Sequence, residues 1–170
     1  LGVKNEIIFV VDPSFDDTEE IILVEVGRNP NIRMIVMSRR FGQPAATMAG
    51  ISACRGDCCV LIDVDLQDPP ELIVEMYDKL CEGNEVVYAT RRTRKGENRI
   101  KKLASSLGYR VINKFSEVEI PNDTGDFRII SRKVINELVQ LNDINGFLRG
   151  LVAYVGFKQA SIEYDRDERY

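Results

Sequence analysis

Residues 60–71, VLIDVDLQDPPE, constrain the fold of this chain more than any other stretch. They open with an apolar run, Val60-Leu61-Ile62, that reads as a buried strand. They close with Asp68-Pro69-Pro70-Glu71, which reads as the start of a helix. Asp68 suits the N-cap, Pro69 the first helical position, and Glu71 the third, where it completes a capping box. Between strand and helix stand Asp63 and Asp65. Side chains two apart on an extended segment point the same way, so the two carboxylates converge. A pair of anions where a buried strand meets solvent is costly unless a cation bridges them, and the expectation is a metal site.

The rest of the chain alternates strand and helix around this step. Strands are expected over Glu6–Val11, Ile32–Met37, Cys58–Ile62, Glu85–Thr90, Gly125–Ile130 and Lys158–Tyr164. Helices are expected from Asp17 as cap to about Val26, from Pro44 to about Cys54, and from Asp68 to about Cys81, where Gly83-Asn84 stops the last. Asn98–Phe115 has helical apolar spacing, and Arg132–Leu141 and Ile144–Val155 read as further helices. Asp165–Tyr170 is a charged tail. Such alternation implies one α/β domain with a largely parallel sheet covered on both faces, and 170 residues suffice for its core.

The chain contains no histidine. That excludes a Ser-His or Cys-His triad and leaves a general base to a carboxylate or, less often, Lys, Tyr or Cys. A metal site built from Asp alone is all oxygen, which favours magnesium or manganese. The four cysteines form no CxxC pair, so a zinc site is disfavoured and a reduced, cytosolic setting is expected. The net charge of −4 gives no case for nucleic-acid binding. Its distribution is uneven, because Arg91–Lys114 holds nine basic residues and one acidic residue. The loop Arg91–Glu97, with four positive charges and no apolar anchor, suggests an anion to be met, with a plain surface loop as the alternative.

Ligands of open α/β sheets bind outside the carboxyl ends of the strands. Asp12, Ser38, Asp63 and Asp65 all stand at such ends, which suggests a nucleotide crevice with a metal on the diphosphate. Plainer readings stand beside these: Asp12 as turn chemistry in Asp12-Pro13-Ser14 and Asp68 as a cap, and a lone DxD is by itself a weak signal.

Six stretches carry a resemblance: VVDPSFDDT from Val10, SRRFGQPAA from Ser38, IDVDLQDPPE from Ile62, GDFRIISR from Gly125, NGFLRGLVAYVGFKQ from Asn145 and YDRDERY from Tyr164. In this order they resemble the inverting nucleotide-sugar glycosyltransferases of family two, most of all the polyprenyl-phosphate (dolichol-phosphate-type) mannosyl- and glucosyltransferases. The resemblance implies a GT-A fold, Rossmann-like, over residues 1–170 as a single catalytic domain. It also implies a first strand before Leu1 and membrane-facing helices after Tyr170, so the domain is expected to be incomplete at both ends.

By the same resemblance, Asp12, Ser38 and Asp63 bind the nucleotide, Asp63 and Asp65 the metal, and Gln67 the sugar diphosphate. Asp126 matches the catalytic carboxylate, Arg128 and Arg149 hold donor phosphate, and Arg91 and Arg92 meet the acceptor phosphate. The implied partners are a nucleotide sugar, a polyprenyl phosphate and, through parts outside this chain, a membrane surface. The whole protein is then expected at the cytoplasmic face, with this chain soluble. The family usually has Asp-Gly-Ser where this chain has Asp12-Pro13-Ser14, and Asn where Arg40 stands. Two alternatives are a non-catalytic GT-A-like remnant and a receiver-type module phosphorylated on Asp63.

Overall fold

The computed structural model describes residues 4–91, 124–141 and 147–164. The first strand, β1 (Ile7–Val11), pairs in parallel with β2 (Ile32–Val36), and α1 (Thr18–Arg28) connects them. Asp17 is the N-cap residue of α1, as expected, but its side chain does not cap; the Asp16 carboxylate accepts from the Thr18 amide at 3.2 Å instead. The next helix, α2 (Gln43–Ala53), starts with Pro44 in its first turn, where a missing N–H costs nothing. Its small residues allow close approach to β1: a Cβ on Gly50 would lie 3.2 Å from Cγ2 of Val10.

The other strands form a second sheet in the order β3 (Cys58–Leu61), β5 (Thr124–Ser131), β4 (Val86–Arg91), β6 (Gln159–Tyr164). β4 and β6 are parallel, while β5 runs antiparallel to both β3 and β4. The expected parallel arrangement therefore holds for β3, β4 and β6, which share one direction, and β5 alone is reversed. Reversal brings the first residues of β5 to the edge where β3 and β4 end.

Helix α3 (Leu72–Cys81) covers one face of this sheet. Its Met76 is buried in one cluster with Val87, Ala89, Phe127, Ile129, Ile162 and Tyr164. The opposite face carries Met48 and Ile51 of α2, with residues of α4 (Arg132–Gln140) and α5 (Leu148–Tyr154), over Val86 and Ile130. Val86 and Val87 face opposite clusters, as do Ile129 and Ile130, which is the two-residue period of a strand. Helix α4 is capped by Ser131, whose hydroxyl accepts from the Val134 amide. Among the described residues no helix is long and apolar enough to cross a membrane. The expected basic helix Asn98–Phe115, the loop from Arg92 to Glu97 and the tail after Tyr164 lie outside the described residues.

The expected capping by Asp68 is not what forms. Its side chain is engaged elsewhere, and Glu71, not Asp68, precedes the first helical residue. The helix instead begins at Leu72, with the Leu72 amide bonded to the Pro69 carbonyl at 3.1 Å. The Asp68 carboxylate turns inward, buried, and accepts from the Tyr164 hydroxyl.

Candidate active site

The register of β5 against β3 builds the site. The antiparallel ladder ends with Leu61 opposite Arg128; continued two residues on from Leu61 and two back from Arg128, it sets Asp63 level with Asp126. Asp63 enters the site from the carboxyl end of β3, Asp126 from the amino-terminal end of β5. Their charges act on each other. Partial enclosure, then the negative charges of Asp126, Asp65 and Asp68, raise the Asp63 carboxyl above its ordinary range. The Gln43 side-chain amide at the head of α2 opposes this, donating to Asp63 Oδ1 at 3.0 Å.

Asp65 reaches this cluster through a turn and not through strand alternation. β3 ends at Leu61, residues 64–65 form a turn, and Leu66 adopts a left-handed conformation with φ of 57°. Asp65 accepts from the Gln67 amide at 3.2 Å, a local side-chain turn that holds the loop. Gln67 is buried beneath this loop beside Asp68.

Asp126 has two cationic neighbours. Its Oδ1 accepts from Arg149 Nε at 3.0 Å and lies 3.7 Å from Arg128 Nη2. Arg149 comes from the first turn of α5. Arg128 is only 3% exposed and donates to the Gly125 carbonyl at 2.9 Å. Burial pulls its pKa down to about 10, against the Asp126 charge, so it stays a cation at neutral pH.

Asp12, one residue beyond β1, accepts from the Phe41 amide at 3.2 Å and, through its other oxygen, from Gly42 at 2.9 Å. It thereby fixes the turn into α2. Gly42 has φ of 89°, which an L side chain adopts only under strain. Arg40, where the resembled family has Asn, donates through Nε to the Pro13 carbonyl at 3.1 Å, so both departures from the family pattern meet in one contact. Ser38 is exposed in the bend after β2. Arg91 ends β4, and Arg92 lies outside the described residues.

The structure thus brings Asp63, Asp65 and Asp126 to one sheet end with Arg128 and Arg149, while Asp12 organises the neighbouring loop. Sequence reasoning missed Gln43, which read only as a residue before a helix-starting proline, and the partnership of Tyr164 with Asp68. Among the described residues no three acidic or thiol side chains form a ready metal cage. The crowding of carboxylates around Asp63 still fits a hard divalent ion, which commonly takes one or two carboxylates and completes its shell with phosphate and water.

Comparison with known proteins assigns the family and the fold. The profile of glycosyl transferase family 2 matches residues 3–139. The chain belongs to that family. It is 48% identical over 164 residues to the glycosyltransferase YkcC of Bacillus subtilis, covering 96% of this chain and 51% of that protein. It is 37% identical over 164 residues to the bactoprenol glucosyl transferase of Shigella phage SfX, covering 96% of this chain and 54% of that one. The chain therefore spans about half the length of the curated relatives it matches. The mannosyltransferase PcManGT of Pyrobaculum calidifontis, solved with GDP-mannose and Mn2+, superposes with a TM-score of 0.63 at 14% identity, over 96% of this chain and 47% of that one. That likeness shows the GT-A fold. The receiver-type alternative gives way to the family match.

Proposed function

We propose that residues 1–170 carry the donor-binding and reacting centre of an inverting hexosyltransferase whose acceptor is a polyprenyl phosphate. The observation that carries this reading is the register-determined meeting of Asp63 with Asp126, flanked by Arg149. Asp12 and Ser38 line the nucleotide side, and Asp63 and Asp65 hold magnesium or manganese. The bound ion supplies Lewis acidity toward the oxygens of the departing diphosphate.

In the reaction an oxygen of the acceptor phosphate attacks the anomeric carbon from the face opposite the nucleotide. The bond from that carbon to the diphosphate oxygen breaks, and its electron pair leaves with the nucleoside diphosphate. A phosphate acceptor is already largely ionised at neutral pH, since its second pKa is about 6, so it needs little help from a base. Asp126 accordingly orients the acceptor and takes any remaining proton. Arg149 and Arg128 hold Asp126 in place and set positive charge beside the phosphates. Arg91, Arg92 and the basic stretch after them draw the lipid phosphate toward the donor at a membrane surface, at the cytoplasmic face in the whole protein. The relatedness to bactoprenol glucosyl transferases supports this acceptor and glucose as the sugar.

The test uses the full-length protein. Calorimetry with UDP-glucose and GDP-mannose, each with and without manganese, should show one donor bound more tightly with the ion, and Asp65→Asn should weaken it about tenfold or more. Transfer to a polyprenyl phosphate should fall about a hundredfold or more in Asp126→Asn. Donor binding indifferent to both ion and substitution would overturn the metal-bridged reading.

A further inference from the structure

The loop that carries Asp63 and Asp65 runs from residue 62 to residue 71 without helix or strand. Its apolar side chains do not hold it, since Val64 and Leu66 are both exposed. Leu66 keeps a left-handed backbone with φ of 57°, which a leucine holds only where its surroundings impose it. The bond from the Gln67 amide to Asp65 is internal to the loop. The bond from Gln43 to Asp63 is exposed and competes with water.

The contact that anchors the loop in the core stands at its far end. Asp68 and Tyr164 are both buried, and the Tyr164 hydroxyl donates to Asp68 Oδ1. Tyr164 is the last residue of β6, in register with Arg91 of β4, so the sheet fixes its backbone. Its ring lies in the cluster that includes Met76 of α3 and meets the Phe127 ring edge-on, with centroids 6.3 Å apart and planes at 87°. Phe127 stands between Asp126 and Arg128 on β5. One side chain thus touches both the loop that bears Asp63 and Asp65 and the strand that bears Asp126. A buried carboxylate without a donor is costly, so without the hydroxyl the loop is better placed turned toward water.

We propose that Tyr164 is a positioning residue for donor binding, its hydroxyl holding Asp68, and through it the 63–68 loop, in the form that receives the divalent ion. This role rests on Asp63 and Asp65 holding that ion, as proposed above. The hydroxyl acts through Asp68 and gives the loop its shape before the ion arrives. Without it only a fraction of the molecules hold that shape, the apparent affinity for the ion falls by that fraction, and a saturating ion restores donor binding.

The test is calorimetry on the full-length protein, with whichever of UDP-glucose and GDP-mannose the parent binds more tightly, at a series of manganese concentrations. Tyr164→Phe keeps the ring against Phe127 and removes only the hydroxyl. It should raise the manganese concentration for half-maximal donor binding about tenfold, with donor affinity at saturating manganese within about threefold of the parent's. Asp68→Ala should raise this midpoint too, and adding Tyr164→Phe to it should move the midpoint less than about twofold further. The double variant leaves neither partner buried without the other, so it carries the test where Tyr164→Phe folds poorly. Without the ion, amide hydrogen exchange over residues 63–68 should quicken about tenfold in Tyr164→Phe, with α3 and β6 unchanged. Parent donor binding that ignores manganese would overturn the metal reading itself. Parent binding that needs manganese, with the parent's midpoint kept in Tyr164→Phe or in the double variant, would overturn the positioning role alone.

Discussion

Asp63 is held at a disadvantage that only a cation removes. Its carboxyl is raised by enclosure and by three neighbouring carboxylates. A raised acid favours the fold below its ordinary value of 3.8, and that contribution is lost as pH rises through the higher folded value. Asp63→Asn keeps an oxygen for Gln43 and removes the charge. Without divalent ions the variant should therefore melt above the parent at pH 7, and the difference should vanish below about pH 4. Manganese should raise the parent's melting temperature more than the variant's. A variant less stable than the parent at both pH values would contradict this account. The DxD pair was legible in sequence because an apolar run followed by two acids marks a strand exit. Its supports were not. Gln43 lies 20 residues from Asp63, and Tyr164 lies 96 from Asp68, separations at which no local period carries information.

Helix α2 serves the site through its first turn and the loop before it. At its amino end, the Phe41 and Gly42 amides satisfy Asp12, and Gln43 meets Asp63. This junction depends on the positive φ of Gly42. Gly42→Ala should cost about 1–3 kcal/mol in urea unfolding, and it should weaken nucleotide-sugar binding by loosening the Asp12 turn. Unchanged stability would mean the turn relaxes freely. Most elements could be read from apolar period and punctuation, within a residue or two at their ends. The direction of β5 could not. GDFRII has the alternation of any strand, and direction follows from which edge the chain reaches after residues 92–123, a matter of long-range pairing. The start of α3 was misplaced because the Asp68 carboxylate is taken by Tyr164, a partner 96 residues away that no local signal reveals.

Over the whole molecule, burial is unevenly divided. The four-stranded sheet has a core on each face, with Ile130, Val134, Leu138, Phe127 and Met76 essentially inaccessible. Helix α1 has no buried residue, and Ile21 is 63% exposed. Ile130→Ala should therefore destabilise by about 2–5 kcal/mol. Ile21→Ala should change stability by less than about 0.5 kcal/mol. Urea titrations of the two variants check the contrast, and similar losses for both would mean that α1 is packed more firmly than its exposure indicates. Family membership was legible from six separated stretches in order, because reacting groups recur in fixed local contexts. The sheet's two-faced core was legible only as an apolar alternation, since which helix covers which face depends on crossovers between distant segments.

The reversed strand also sets how this domain can tolerate changes of length. Asp63 and Asp126 approach from chain directions that oppose each other, and they are level only while Leu61 stays opposite Arg128. Losing one residue between Asp126 and Arg128 would turn the Asp126 side chain to the other face of the sheet, away from Asp63. Inserting two residues there would restore the face but move the carboxylate by about 7 Å along the strand. Insertions and deletions between Asp126 and Arg128 are thus excluded in either parity, and the length of this strand is as much a part of the active centre as the acid it carries.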